Sequence, residues 1–411
     1  MNGGQLEQRL LVLVTLALVA FGLVMVYSAT SAAAALGESD PMTYLKRQSI
    51  YALLGVALMI GAYRFDNRRL QKLAPPLVVA SLALCVALLV VAPEVNGARR
   101  WFFLGPASFQ PSELAKLSLL IAAAAYIARK GAPRTLGELW RPLGLITSVF
   151  AGLFLLQPDL GTTITLLLML AGMLVVAGVP GRTLAVAGIL AVSAALAAIW
   201  VEPYRRERVF SFLDPWADPT HTGFQTVQAI IGMGSGGLTG EGLGQGVQKI
   251  NYLPEAHTDM ILAIIGEELG LIGTTAVIAA FAAFAFAGFT VALRARDPFA
   301  KLLAAGITSL VCGQAAVNLS AVLGIAPLTG IPLPFVSYGG SSLIVLLACV
   351  GILLNIAVDE RAPQKAVRRP PLSHRRRRNG RARPAVARGR GGAARAGRAG
   401  DLRRVAGSRR S

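Results

Sequence analysis

Apolar residues run through this chain in blocks about as long as a bilayer is thick. A membrane-crossing helix needs roughly 20 predominantly apolar residues. Blocks near that length occur at 10–29, 48–63, 75–92, 112–128, 143–157, 160–178, 183–200, 271–293, 302–323 and 341–357. They predict ten transmembrane helices, of which 48–63 and 143–157 are the shortest. No small-residue cleavage pattern accompanies the first block, so it is expected to stay as a span.

The polar connections orient these helices. Arg64, Arg68, Arg69 and Lys72 follow the second block, and Arg129, Lys130, Arg134 and Arg141 follow the fourth. Arg182 follows the sixth, and Arg294, Arg296 and Lys301 the eighth. Every even-numbered exit is basic, which predicts cytoplasmic loops there and both termini inside. The odd-numbered exits then face outward: 30–47, 93–111, Gln157 to Asp159, 324–340, and a large extracellular loop, 201–256, between spans seven and eight. A single helix from Thr258 to Leu293 would be about 54 Å long, more than a bilayer requires. Residues 254–270 are therefore expected to form a short interfacial helix beginning at Pro254 or Glu255, with a span starting near Gly270.

Composition supports this. Hydrophobic residues make up 54% of the chain and charged residues 15%, against about a quarter charged in soluble domains. The fold class expected is an all-α polytopic membrane protein occupying residues 1–357. The net charge of +19 sits mostly in the remainder: residues 359–411 carry eighteen Lys or Arg against three Asp or Glu. This tail (358–411) is rich in Gly, Ala and Pro and includes Arg375 to Arg378, so it is expected to be disordered and cytoplasmic. Its place after a span favours anionic lipid over nucleic acid as its contact, or a plain role in fixing topology. Cys85, Cys312 and Cys349 lie inside apolar blocks and fit neither a disulfide framework nor a metal site.

The unusual polar chemistry falls on the outward side. Lys249, Glu255, His257 and Asp259 share eleven residues beside the apolar run Met260 to Ile265. On a helix begun at Pro254, Glu255 and Asp259 would share one face, and like charges there raise one pKa. A carboxylate so poised can take a proton from a sugar hydroxyl; equally, both can simply cap the helix. Glu267 and Glu268 are expected to be an interfacial pair. The glycines from Gly232 to Gly246 suit either close backbone approach to a bulky polar ligand or a flexible loop, and form no P-loop.

Arg99 and Arg100, beside Trp101, break the positive-inside trend. They suit capture of a phosphate-bearing headgroup or simple snorkelling. Glu113 and Lys116 share a helix face. Asp159 lies in a tight turn, where capping the next span is its ordinary role. Residues 324–342 hold three prolines and four glycines, so they cannot form regular helix. Such backbone is tolerated where protein covers it or it lines a wet cavity, and this segment reads as a re-entrant loop walling a site.

Taken together, these blocks resemble the SEDS family (shape, elongation, division and sporulation), which includes FtsW, RodA and SpoVE. The resemblance rests on Arg100-Trp101, Phe109 to Lys116, Gln157 to Thr162, Gly236 to Gly246, Lys249 to Asp259, Gly266 to Gly270 and Pro327 to Ser342. It covers residues from about 10 to 357, and the wording of 249–259 is nearer the FtsW branch than the RodA branch. The resemblance implies a peptidoglycan glycosyltransferase that polymerises lipid II at the outer face of the cytoplasmic membrane during cell division. The configuration would invert and undecaprenyl diphosphate would leave.

The resemblance also implies residue roles. Asp259 would be the catalytic base. Arg99, Arg100, Lys116 and Lys249 would meet the diphosphate, and Glu113 would orient Lys116. Asp159 would hold a divalent cation (Mg or Mn) or position the acceptor, although no ligand spacing calls for a metal. Glu255, His257, Ser337 and Gly339 complete the expected substrate-binding set. Implied partners are lipid II, a class B penicillin-binding protein and other membrane proteins of the division septum. The competing readings are a lipid II flippase and an elongation polymerase of the RodA kind. A flippase needs polar groups through the bilayer, whereas here they gather at the outward ends.

Overall fold

The computed structural model describes residues 3–35, 41–95, 97–105, 107–250 and 253–359. Of the expected tail, only its first two residues are among these, as the end of a helix; the rest lies outside the described residues, as does Tyr252.

The long helices are α1 (Gly3–Ala35), α2 (Pro41–Tyr63), α3 (Asn67–Val91) and α4 (Pro111–Lys130). A short α5 (Leu136–Leu139) continues through a kinked turn into α6 (Leu145–Leu156) as one apolar unit. Then come α7 (Leu160–Ala177) and α8 (Gly181–Val201). After two short helices, the chain closes with α11 (Ile261–Arg294), α12 (Pro298–Val322) and α13 (Gly340–Asp359). Nine of these units are long and apolar enough to cross a membrane. The tenth expected span, α2, falls short in composition because its second turn carries Lys46-Arg47-Gln48. It nevertheless runs alongside α13. Tyr51 faces Gly340, Gly55 faces Ile344 and Leu347, and Met59 and Ala62 face Gly351, so the two helices are parallel and close. Small residues at such contacts are the usual way membrane helices approach.

Helix boundaries follow local chemistry. Asp66, Asp159 and Asp297 accept backbone N–H bonds at the starts of α3, α7 and α12, each satisfying a donor that a helix start leaves free. Pro111 and Pro298 occupy first-turn positions that need no N–H. The core lies where α4, α7, α11, α12 and α13 meet, around Leu119, Leu120, Phe284, Leu303 and Leu347. By contrast, α8 stands at the periphery with almost no buried surface.

The connection 201–256 is more structured than expected. It holds α9 (Pro203–Leu213) and α10 (Phe224–Ser235). The loop 93–111 contains a two-stranded antiparallel hairpin, β1 (Phe102–Leu104) with β2 (Ala107–Phe109), in the register Phe103 opposite Ser108.

The expected interfacial helix needs correction. Residues 253–260 form turns, with Glu255 at φ 56°, and helix begins only at Ile261. Glu255 and Asp259 therefore do not share a helix face. The break at Gly270 is present, with φ 64° and ψ −158°. It frees backbone groups that the glycine-rich loop then pairs. Glu241 and Gly242 N–H donate to the Glu267 and Glu268 carbonyls, and Leu271 and Ile272 N–H donate to the Gly237 and Leu238 carbonyls. A Cβ at Gly240 would lie 2.2 Å from the Glu268 carbonyl oxygen. Those glycines thus permit close approach to α11 itself.

Candidate functional site

Three polar groups collect at one end of the bundle. The first is built on the turn before α11. Thr258 Oγ1 donates to Glu255 Oε2 (3.0 Å) and lies 3.2 Å from Asp259 Oδ1, so one hydroxyl links two carboxylates. Asn318 on α12 fixes this turn: its amide donates to the Asp259 carbonyl (2.7 Å) and to the Ile331 carbonyl (2.8 Å). Tyr338 N–H donates to the His257 carbonyl at 2.9 Å. The His257 ring sits edge-on to Tyr44, centroids 4.9 Å apart, and 5.5 Å from the Tyr338 ring. Residues 324–339 are irregular, as expected, and Leu333, Phe335 and Val336 within them are buried.

The electrostatics of this turn follow from its enclosure. Burial, with the like charge of Glu255 adding to it, pushes the Asp259 carboxyl up to about 6, while Arg208 pulls the other way. Burial also holds the His257 imidazole below its ordinary range, against the opposing pull of Glu255.

A second group surrounds Asp159. Its carboxylate caps α7 through Thr162 N–H (3.0 Å) and Thr162 Oγ1 (2.7 Å), and Gln110 Nε2 approaches at 3.5 Å. Arg100 donates to the Gln157 and Pro158 carbonyls, and Arg99 to the Leu89 carbonyl. The backbone at Gly161 packs against Thr329 and Ile331. The same short stretch of loop therefore touches the Asp159 turn on one side and the Asp259 turn on the other. Ser337 and Gly339, at the far end of that loop, are tied to α2: the Ser337 carbonyl accepts from Gln48 Nε2 at 3.1 Å, and Gly339 N–H faces Gln48 Oε1 at 3.5 Å.

The third group is buried. Lys249 Nζ lies 2.7 Å from Glu268 Oε1 and donates to Ser28 Oγ at 3.2 Å, while Ser28 in turn donates to the Glu268 carboxylate at 2.7 Å. Glu267 Oε1 accepts from Val247 and Gln248 N–H at 2.7 and 3.1 Å. The expected interfacial Glu267–Glu268 pair is thus corrected: both are internal struts holding the glycine-rich loop to α11. Lys116, at 1% exposure, bridges Glu113 (2.8 Å) and Gln314 (3.1 Å) inside the bundle. Gln314 passes this on to the Pro332 carbonyl (3.1 Å). Glu113 pairs with Lys116, but neither Lys116 nor Lys249 presents its ammonium at a surface.

Sequence reasoning missed Arg208. It sits on α9, donates to the Leu328 carbonyl (3.1 Å) and lies 4.8 Å over the Tyr204 ring. Its signal was available, since Arg205, Arg206 and Arg208 repeat the outward basic anomaly of Arg99-Arg100.

Among the described residues, no cluster of three or more His, Cys, Asp or Glu could hold a metal ion. Asp159 spends both oxygens on the first turn of α7.

The fold and site define a polytopic helical membrane protein with a carboxylate centre, enclosed by irregular loops, at one end of its bundle. Residues 8–362 match the FTSW_RODA_SPOVE family, described as cell cycle protein, and the chain belongs to that family. It is 43% identical over 350 residues to a probable peptidoglycan glycosyltransferase FtsW of Geobacter sulfurreducens, covering 84% of this chain and 94% of that one. A Nitrosococcus halophilus protein of the same description is 40% identical over 359 residues, covering 86% and 92%. Among solved structures, the chain resembles one from a peptidoglycan synthase complex that coordinates polymerization and crosslinking. The identity there is 36%, the TM-score 0.71, and the coverage 86% of this chain and 98% of that one. It also resembles the rod shape determining protein RodA of Thermus thermophilus, with 33% identity, TM-score 0.63, and coverage of 86% and 97%.

Proposed function

We infer that this chain is a peptidoglycan glycosyltransferase that joins lipid II units into glycan strands, with Asp259 as its general base. The observation that carries the assignment is the Asp259 turn: an enclosed carboxyl whose pKa is about 6, beside a loop that also touches the Asp159 turn. At neutral pH such a group is mostly ionised yet basic enough to accept a proton, the condition for general base catalysis. The acceptor's sugar hydroxyl loses its proton to Asp259 as its oxygen attacks the anomeric carbon of the donor. The bond from that carbon to the diphosphate breaks, the configuration inverts, and the lipid diphosphate leaves with the bonding electrons.

Charge on the leaving group needs a cation. Lys116 and Lys249 are committed to internal carboxylates, so Arg99 and Arg100 are the better candidates of the expected set.

Polymerisation is favoured over flipping by where the buried charges lie. Glu113, Lys116, Glu267 and Glu268 all fall within about the first two turns of their helices, and the buried Glu7 pairs with Arg294 at the opposite end. Among the described residues, the buried polar groups of the helix middles, such as Thr165 and Thr308, therefore carry no charge. We assign the Glu113 and Glu268 ends to the outer face of the cytoplasmic membrane, and division at the septum with a class B penicillin-binding protein as the working context.

The test is polymerisation of labelled lipid II by purified protein with that partner. Asp259→Ala should make no glycan strands while unfolding at the same temperature in detergent as the wild type. Full-length strands from the variant would sink the assignment.

A further inference from the structure

Next to the turn that carries Asp259 lies a cavity of about 260 Å³. Its walls come from α9 (Tyr204, Glu207, Arg208, Ser211), from His221 and Thr222 before α10, from the first turn of α10 (Phe224, Gln225, Thr226), and from Pro254 and Leu328. Two of these residues join it to the catalytic turn. Pro254 opens that turn, and its carbonyl accepts from Gln225 Nε2 at 3.3 Å. Leu328 lies two residues before Gly330, whose backbone faces Asp259 Oδ2.

The lining says what would fit. The Tyr204 and Phe224 rings stand among hydroxyl, amide, imidazole, carboxylate and guanidinium groups. Arg208 is held in place by the Leu328 carbonyl and the Tyr204 ring, which leaves further N–H donors on a fixed planar fork. Glu207, in the same wall, would repel a diphosphate or a carboxylate. An uncharged ring carrying several hydroxyl and amide groups satisfies donors, acceptors and aromatic faces together. Position agrees with this. Trp200, Tyr204 and Trp216 are exposed around α9, and such aromatics mark the membrane–water interface. A sugar tethered to a lipid arrives at that level.

We propose that the cavity beneath α9 is a second saccharide subsite, holding through Arg208, Glu207 and Gln225 the pyranose ring next to the one that reacts at Asp259. The proposal rests on the glycosyltransferase reading above. The ring can come from the growing glycan or from the incoming lipid-linked disaccharide; the chemistry is shared, and the experiment separates the two.

The first arm needs no catalysis. A lipid-free tetrasaccharide of β-1,4-linked N-acetylglucosamine, an uncharged counterpart of the glycan backbone, is titrated against full-length Asp259→Ala protein in nanodiscs. Adding Arg208→Ala should weaken binding at least tenfold, and adding the exposed-site change Glu207→Ala should weaken it several-fold. Arg208→Lys, which keeps the charge and loses the fork, should behave like Arg208→Ala. Unchanged affinity in both Ala additions, with thermal unfolding intact, overturns the subsite.

The second arm follows lipid II polymerisation by the single variants. Shorter strands at an unchanged initial rate assign the ring to the growing glycan. A raised KM with normal strand length assigns it to the incoming disaccharide. No change in either quantity overturns the proposal. Because the first arm reads binding alone, polymerisation by the Asp259→Ala protein would discredit the base assignment without deciding the subsite.

Discussion

The Lys249–Glu268 pair offers the sharpest quantitative test of how this site is held. The two charges are 2.7 Å apart, with 3% and 0% of their side chains exposed. At an effective dielectric constant of 20, the gross attraction at that distance is about 6 kcal/mol, set against several kcal/mol of desolvation for each ion. The net contribution of the intact pair is therefore small, but removing one partner strands the other. Glu268→Gln or Lys249→Met alone should destabilise the protein by about 3–5 kcal/mol. The charge-free double variant Lys249→Met/Glu268→Leu should recover most of that loss, because neither ion remains to be desolvated. Equilibrium unfolding in detergent, run as a double-mutant cycle, measures the coupling. Activity of the double variant separates strut from ligand: a strut predicts that lipid II polymerisation returns along with stability. If each single change costs under about 1 kcal/mol, the buried geometry is wrong. If the double variant folds normally yet forms no strands, Lys249 meets the diphosphate after all.

Three further outcomes concern the turn that carries Asp259. The rate of polymerisation should rise as pH passes through about 6, the value to which burial and Glu255 lift Asp259, because only the ionised carboxylate accepts a proton. Glu255→Gln removes the like charge and should move that limb of the kcat/KM profile to lower pH; an upward shift would contradict the assignment. Asn318→Ala strips the Asp259 and Ile331 carbonyls of their shared donor. It should cost about 1–3 kcal/mol for the unsatisfied groups and lower kcat more than it raises KM, as steady-state kinetics beside a thermal melt would show.

How far the sequence carried depended on the range of the interaction. Span positions and the Gly270 break were legible because they rest on local apolar length and on the freedom of one residue. The start of α11 was not. Pro254 carries a helix-start signal, yet the turn is fixed by bonds from elsewhere: Leu253 N–H to the Gln248 carbonyl, Gln225 to the Pro254 carbonyl, and Tyr338 N–H to the His257 carbonyl. Tertiary bonds of that kind override a local propensity. The helices α9 and α10 were hidden for a related reason. They are short, and α9 opens on Pro203-Tyr-Arg-Arg-Glu-Arg208, which reads as loop when only apolar length is counted.

The site residues divide along the same line, and the division explains which of them to trust. A cation within the outward segments looks identical in sequence whether it faces a ligand or a buried carboxylate. Lys249 finds Glu268 nineteen residues away and Ser28 on the first helix; Lys116 finds Gln314 across the bundle. Local spacing identified only the Glu113–Lys116 contact, since those two are three apart on one helix. The arginines behave differently. Arg99, Arg100 and Arg208 all donate to backbone carbonyls, and a carbonyl carries no full charge to neutralise them. A family of outward cations thus separates into lysines that balance internal carboxylates and arginines that keep net positive charge near the Asp159 and Asp259 turns. On the proposed reaction the diphosphate leaving group would be met by Arg99 and Arg100, whose positive charge no carboxylate balances, while Lys116 and Lys249 serve as internal ties to Glu113 and Glu268.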